Sequence, residues 1–141
     1  MSQENLNKAE LAALINRLTL GVMFLAHGLL KLLVFTPAGT AGFFESVGFP
    51  SFFAYLVILA EVGGGVALIT GIATRLVSVA LLPVLFGALV VHAGNGWLFS
   101  APNGGWEFPA FLIMSTIVQI ILGSGAYAIR LPFLANVRFA Q

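Results

Sequence analysis

Three ionisable side chains sit inside long apolar runs: His27, Lys31 and Glu61. A charge at mid-depth in a bilayer costs roughly 2.5–3.5 kcal/mol on insertion scales, so such groups face a bundle interior or a wet cavity and have partners there. His27 and Lys31 are four residues apart and share one face of a helix. Glu61 must be protonated or paired at its depth. An imidazole, an ammonium and a carboxylate can hydrogen-bond a small polar ligand and exchange protons with it. Glu61 and His27 are therefore the candidate catalytic groups. Lys31, His92 and Glu107, which stand nearer span ends, are candidates to orient a ligand or gate its access.

Several chemistries can be weighed on these residues. A quinone headgroup needs a donor to each carbonyl and a proton route, which His, Lys and Glu supply. A metal site would have to use His27, His92, Glu61 and Glu107, but no two of these form the usual i, i+3 or i, i+4 pair. No metal is expected. A haem between His27 and His92 is mismatched in depth. No serine sits in a nucleophile elbow. The chain has no cysteine, so thiol redox chemistry and cysteine-held clusters are excluded. Any redox role must use a bound cofactor, a quinone or a redox protein partner.

The elements that position these groups follow from composition. Only 8% of the 141 residues are charged and 60% are hydrophobic, against about 25% charged in soluble domains. This predicts an all-α polytopic membrane protein: a single domain over 1–141, with a four-helix bundle crossing the bilayer at about 12–35, 52–70, 76–93 and 108–128. A net charge of +1 argues against nucleic acid. The first apolar run is too long for a signal peptide and lacks a small-residue cleavage site after it.

Arg17 is expected at an interface, free to snorkel. Gly21 and Gly28 are seven apart, as are Gly64 and Gly71, which predicts facing seams between the first two spans. The glycine run Gly63-Gly64-Gly65 lies in an apolar helix with no Lys-Ser/Thr after it, so it is not a phosphate loop. The connection over 36–51 should hold a short amphipathic piece whose Phe43, Phe44 and Phe49 anchor it or cover the polar stripe as a lid. Pro83 is a potential kink in the third span. Lys8, Arg17, Arg75, Arg130 and Arg138 all fall on one side of the four-span arrangement, so the positive-inside rule places both termini in the cytoplasm.

Counting about 1.5 Å per residue from the opposite face gives two layers. His27 and Glu61, with Ser115, Thr116 and Gln119, form a deep layer. Lys31, His92 and Glu107 form a shallow one, in which Lys31 either snorkels or pairs with Glu61 or Glu107. The cytoplasmic half is expected to hold only apolar packing and interface arginines.

The residues resemble the DoxX family of bacterial inner-membrane proteins. The matching positions are Arg17, His27-Gly28 with Lys31, Ala41-Gly42-Phe43, Gly48-Phe49-Pro50, Glu61 with Gly63-Gly64, Gly71 with Thr74-Arg75, His92, and Asn103 through Pro109. The resemblance implies a four-helix protein of the bacterial inner membrane, in some members a subunit of quinone-coupled oxidation. It also brings Asn103 in beside Glu107 as a ligand-binding candidate. One departure stands out: a Gly-Pro-Gly and a following acid of the family are replaced here by Gly123-Ser124-Gly125 and Arg130.

The function expected is a redox-associated subunit that binds a quinone or similar small molecule, with no other cofactor specified. The alternatives are a membrane scaffold for a redox or stress-response partner and a proton-linked carrier, which would need a homo-oligomer.

Overall fold

A computed structural model describes residues 7–132. The expected positions Arg138 and the first six residues lie outside them. Five helices account for most of the described chain. Helix α1 spans Lys8–Leu29 and continues as a π-helical turn, Leu30–Val34; α2 spans Pro37–Ser46, α3 Phe52–Thr70, α4 Thr74–His92 and α5 Glu107–Leu122. No strand occurs among the described residues. With their end turns, α1, α3 and α4 are long and apolar enough to cross a membrane, and α5 is a shorter apolar helix of 16 residues. The chain is thus an all-helical membrane protein, with lipid-facing surfaces rich in Leu, Val, Ile and Phe.

The helices close a ring in which α1 packs on α3 and α5, and α4 packs on α5 and α3. The short α2 lies across α3 and the end of α1. At mid-bundle, Leu20, Phe24, Leu68, Leu81, Leu85, Leu112 and Ile113 form one buried cluster. The end carrying the 93–106 loop is called the loop end below, and the end carrying the Gly71–Ala73 turn the turn end.

Glycine sets how closely α1 and α3 approach. A Cβ on Gly65 would lie 2.6 Å from the backbone nitrogen of Leu25, and one on Gly21 would lie 2.9 Å from that of Ile69. A Cβ on Gly28 would come 2.9 Å from the nitrogen of Val62. The seam on α1 is the expected one. Its partner on α3 is Gly65, not Gly64 and Gly71: Gly64 faces Leu81 of α4. The seven-residue match of spacings identified the helix pair but not the register, because Gly63, Gly64 and Gly65 point in three directions about 100° apart.

Arg17 does not snorkel. It is fully buried. Its Nη1 donates to the carbonyls of Leu68 (3.2 Å) and Ile69 (3.4 Å), and its Nη2 to that of Ala126 (3.0 Å). Gly71, in the left-handed region at φ 80°, ends α3 with bonds from its own N–H and that of Ile72 back to Ala67. The end carbonyls of Leu68 and Ile69 go to the guanidinium, which meets the negative end of the helix dipole. Arg75 does the same for α5, donating to Ile121 at 3.3 Å.

The turn-end half is therefore not merely apolar. Asn16 donates to Gln119 Oε1 (2.9 Å) and to the Ser115 carbonyl (3.0 Å), and accepts from Ser115 Oγ (2.8 Å). Gln119 donates to the carbonyls of Ala13 and Gly123. Ser115 and Gln119 thus tie α5 to α1 beside Arg17 and do not join His27 and Glu61. The fourth helix also ends at Leu122, short of the expected residue 128. Gly123 (φ 79°) and Gly125 (φ 67°) turn the chain back, and Ile129 donates to Thr70 at 3.0 Å. Helix α4 continues through Pro83, although proline removes one backbone donor from it.

Consecutive glycines give the test of this packing. Gly65→Val should cost about 1–3 kcal/mol by overpacking, read as a lower melting temperature in detergent. Gly63→Val, whose Cβ meets nothing within 4 Å, should leave melting unchanged. Equal effects would contradict the α1–α3 register.

Candidate functional site

Lys31 and Glu61 form an ion pair. Lys31 Nζ donates to both carboxylate oxygens, at 2.9 and 2.8 Å. The Glu61 side chain is only 7% exposed and that of Lys31 20%. The depth count put them in different layers because it followed backbone positions. Side chains on a helix tilt toward its N-terminus, and α1 and α3 run in opposite directions. Lys31 therefore leans away from the loop end while Glu61 leans toward it, and the two meet between. Gly28 allows the approach: a Cβ there would lie 3.0 Å from Glu61 Cβ.

The backbone around Lys31 is also special. Phe35 N donates to Leu30 O at 3.0 Å, the i to i+5 bond of a π turn. Such turns recur at functional sites. Thr40 Oγ1 donates to the Lys31 carbonyl at 3.3 Å and to the Thr36 carbonyl at 2.9 Å, fastening α2 to the end of α1. Thr36 itself has φ 63° and ψ 156°, a sparsely populated conformation for a non-glycine residue. Its Oγ1 accepts from Gly39 N at 3.2 Å to cap α2, so the bend into α2 is tightly defined.

The pair borders a cavity of about 520 Å³ in the loop-end half of the bundle, a size typical of small-molecule sites. All four long helices contribute to its lining. His27 and His92 line it with Lys31 and Glu61, and most other lining side chains are apolar. Phe44 and Phe49 cover it from the α2 segment, where Phe43, Phe44 and Phe49 pack in series with ring centroids 6.4 and 6.1 Å apart.

Both imidazoles are oriented by backbone carbonyls. His27 Nδ1 bonds Met23 O at 2.8 Å, and its ring stacks on Phe108 at 6.0 Å. His92 Nδ1 bonds the carbonyls of Asn103 (3.0 Å) and Gly104 (3.1 Å). A carbonyl only accepts, so Nδ1 carries the proton in each ring. The neutral ring then presents Nε2 as an acceptor.

Glu107 and Asn103 stand apart from the cavity wall. Glu107 accepts from Phe99 N at 2.8 Å and bonds Trp97 O through its own N–H at 3.1 Å, so it fastens the loop before α5. Asn103, at φ 69°, offers its carbonyl to His92 and to Asn95 Nδ2 (3.1 Å). Both build the loop that holds His92. Gly105 is required there, since any Cβ would collide with the Leu98 carbonyl. Among the described residues no group of three His, Asp or Glu side chains forms a metal site. Residues missed by sequence reasoning include Phe108, which backs His27, and Asn16, whose only signal was a second polar residue beside Arg17 in an apolar run.

Comparison with known proteins agrees with this architecture. The DoxX family profile matches residues 12–94, and the chain belongs to that family. A Bacillus subtilis (strain 168) protein named "Putative oxidoreductase CatD" is 36% identical over 121 residues, covering 84% of this chain and 85% of the relative. An Escherichia coli (strain K12) protein named "Inner membrane protein YqjF" is 30% identical over 129 residues, covering 85% and 90% respectively. No solved structure matches significantly.

Removing one member of the ion pair should be costly, because the other charge is then buried alone. Lys31→Met should destabilise the protein by about 3–5 kcal/mol, measured as lost thermal stability in detergent or nanodiscs. A melting temperature equal to that of the unmodified protein would show that Glu61 does not depend on Lys31.

Proposed function

We propose that this DoxX-family protein is a redox-associated membrane subunit that binds a quinone or a quinone-like small molecule in the cavity between its helices. The observation that carries the reading is the joint placement of the Lys31–Glu61 pair and two oriented imidazoles on the wall of an otherwise apolar cavity. A carbonyl-bearing headgroup would accept from Lys31 Nζ. Its hydroxyl form would donate to Nε2 of His27 or to Glu61, and these two groups would take or give the protons that accompany reduction and oxidation. His92 would meet the other side of the head. The Phe43–Phe49 segment would act as the lid. Glu107 and Asn103 would serve indirectly, by fixing the loop that orients His92. The relative named as an oxidoreductase supports the redox assignment.

The same reading places the protein in the bacterial inner membrane, as the name of the second relative suggests. The turn end would face the cytoplasm, since Lys8, Arg17, Arg75 and Arg130 all lie there while neither loop of the other end contains Lys or Arg. The cavity would then lie in the outer half of the bilayer. Oxidation or reduction of the head would also need an electron donor or acceptor, a bound cofactor or a redox protein partner, since no cysteine of this chain can carry electrons.

The test is native mass spectrometry of protein released from nanodiscs made with quinone-containing bacterial lipids. The unmodified protein should retain a quinone-sized mass. Glu61→Gln, which removes the charge but keeps the shape and one oxygen acceptor for Lys31 Nζ, should lose it while still inserting and folding with reduced thermal stability. Unchanged retention in Glu61→Gln would remove the role given to Glu61. A bare chain in both samples, or one carrying only lipid and another protein, would favour a scaffold.

A further inference from the structure

The cavity wall is not continuous. Along α1 and α5 it is made mostly by buried or half-buried groups such as Phe24, His27 and Leu112, with Phe108 more exposed at the loop end. Between α3 and α4 it is made by more exposed residues: Leu56 is 52% exposed, Phe53 39%, and Ala80 and Pro83 are exposed as well. Lining residues with this much exposed surface mark where the cavity is least covered. Near mid-bundle the two helices are in close contact, with Gly64 against Leu81. Beyond Leu81 toward the loop end α4 instead shows the small residues Gly87 and Ala88 to the cavity, and a Cβ on Gly87 would meet nothing within 4 Å. The gap lies in the lipid-facing belt, in which Leu59 of α3 and Val90 of α4 are 70% and 67% exposed.

We infer that the gap between α3 and α4 is a lateral portal through which a lipid-soluble molecule with an uncharged oxygen-bearing head and a long apolar chain reaches the Lys31–Glu61 pair from the bilayer, its chain staying in the gap. The head is uncharged because, among the described residues, Lys31 and Glu61 are the only Lys, Arg, Asp or Glu lining the cavity and already neutralise each other. A phosphate or carboxylate head would meet no free cation there. The chain is apolar because the groove from Ala60 and Val84 out to Leu56 and Pro83 offers no side-chain hydrogen-bonding group. The inference deepens the quinone reading and rests on it for the head alone.

Photocrosslinking in nanodiscs tests it, with a benzoquinone carrying a ten-carbon chain that holds a diazirine. Peptide mapping should place the label on Ala60 and Val84. Gly87→Trp, whose Cβ meets nothing within 4 Å and whose ring would occupy the gap, should reduce that labelling at least tenfold. Gly63→Trp, whose Cβ also meets open space and which lies outside the cavity lining, should leave it unchanged and serves as the folding control. A phosphatidylcholine bearing the same diazirine chain should label outward positions such as Leu59 and Val90 instead. The portal is refuted if the quinone probe never labels Ala60 or Val84, or labels them equally in Gly87→Trp. Equal cavity labelling by the phospholipid would overturn the uncharged head. Labelling that survives undiminished in Glu61→Gln would leave the portal standing and remove Glu61 from head recognition.

Discussion

In a low-dielectric interior a carboxylate and an ammonium are tolerated only together, and the rest of the bundle is arranged so that Lys31 and Glu61 can meet. Their helices must be antiparallel and close. The glycines at 21, 28 and 65 make that approach possible, and a methyl group at any of them would collide with backbone of the other helix. The π turn after Leu29 and the bond from Thr40 to the Lys31 carbonyl then fix the lysine's own backbone. Such a pair is a poor source of stability, because desolvation consumes most of what attraction returns. Its retention beside two oriented imidazoles fits a role in binding.

The bundle divides its polar groups between two tasks. At the turn end, Arg17 and Arg75 satisfy the final carbonyls of α3 and α5, and Asn16 with Gln119 links α1 to α5. Backbone carbonyls in a membrane have no water to bond, so these side chains replace it. At the loop end, the polar side chains face a cavity instead of closing on backbone alone. The apolar cluster from Leu20 to Ile113 separates the two regions. Rigidity at one end allows an open space at the other.

The membrane class and the long helices were legible because each rests on residue type and run length, and so was the interior placement of His27, Lys31 and Glu61. Partner choice was not. Backbone counting separated Lys31 from Glu61, since it ignored the tilt of side chains toward each helix's N-terminus. Arg17 reads as a snorkelling residue until its neighbours are known, because the carbonyls it caps lie about 50 residues away in sequence. Glu107 reads as a candidate ligand group, and its loop contact to Phe99 N cannot be read from the sequence. The end of α5 was overestimated because apolar residues continue past Leu122, and the turn there depends on glycine conformations together with contacts to Glu10 and Thr70.

In the proposed function the ion pair serves binding, and the fold merely tolerates it. Replacing both members by apolar residues of similar volume, Lys31→Met with Glu61→Met, separates the two roles. Melting and retained quinone would be measured on the same nanodisc sample of the double variant. The account predicts a melting temperature at or above that of the unmodified protein, together with loss of the bound molecule. A double variant that melts well below the unmodified protein yet still holds the molecule would contradict it.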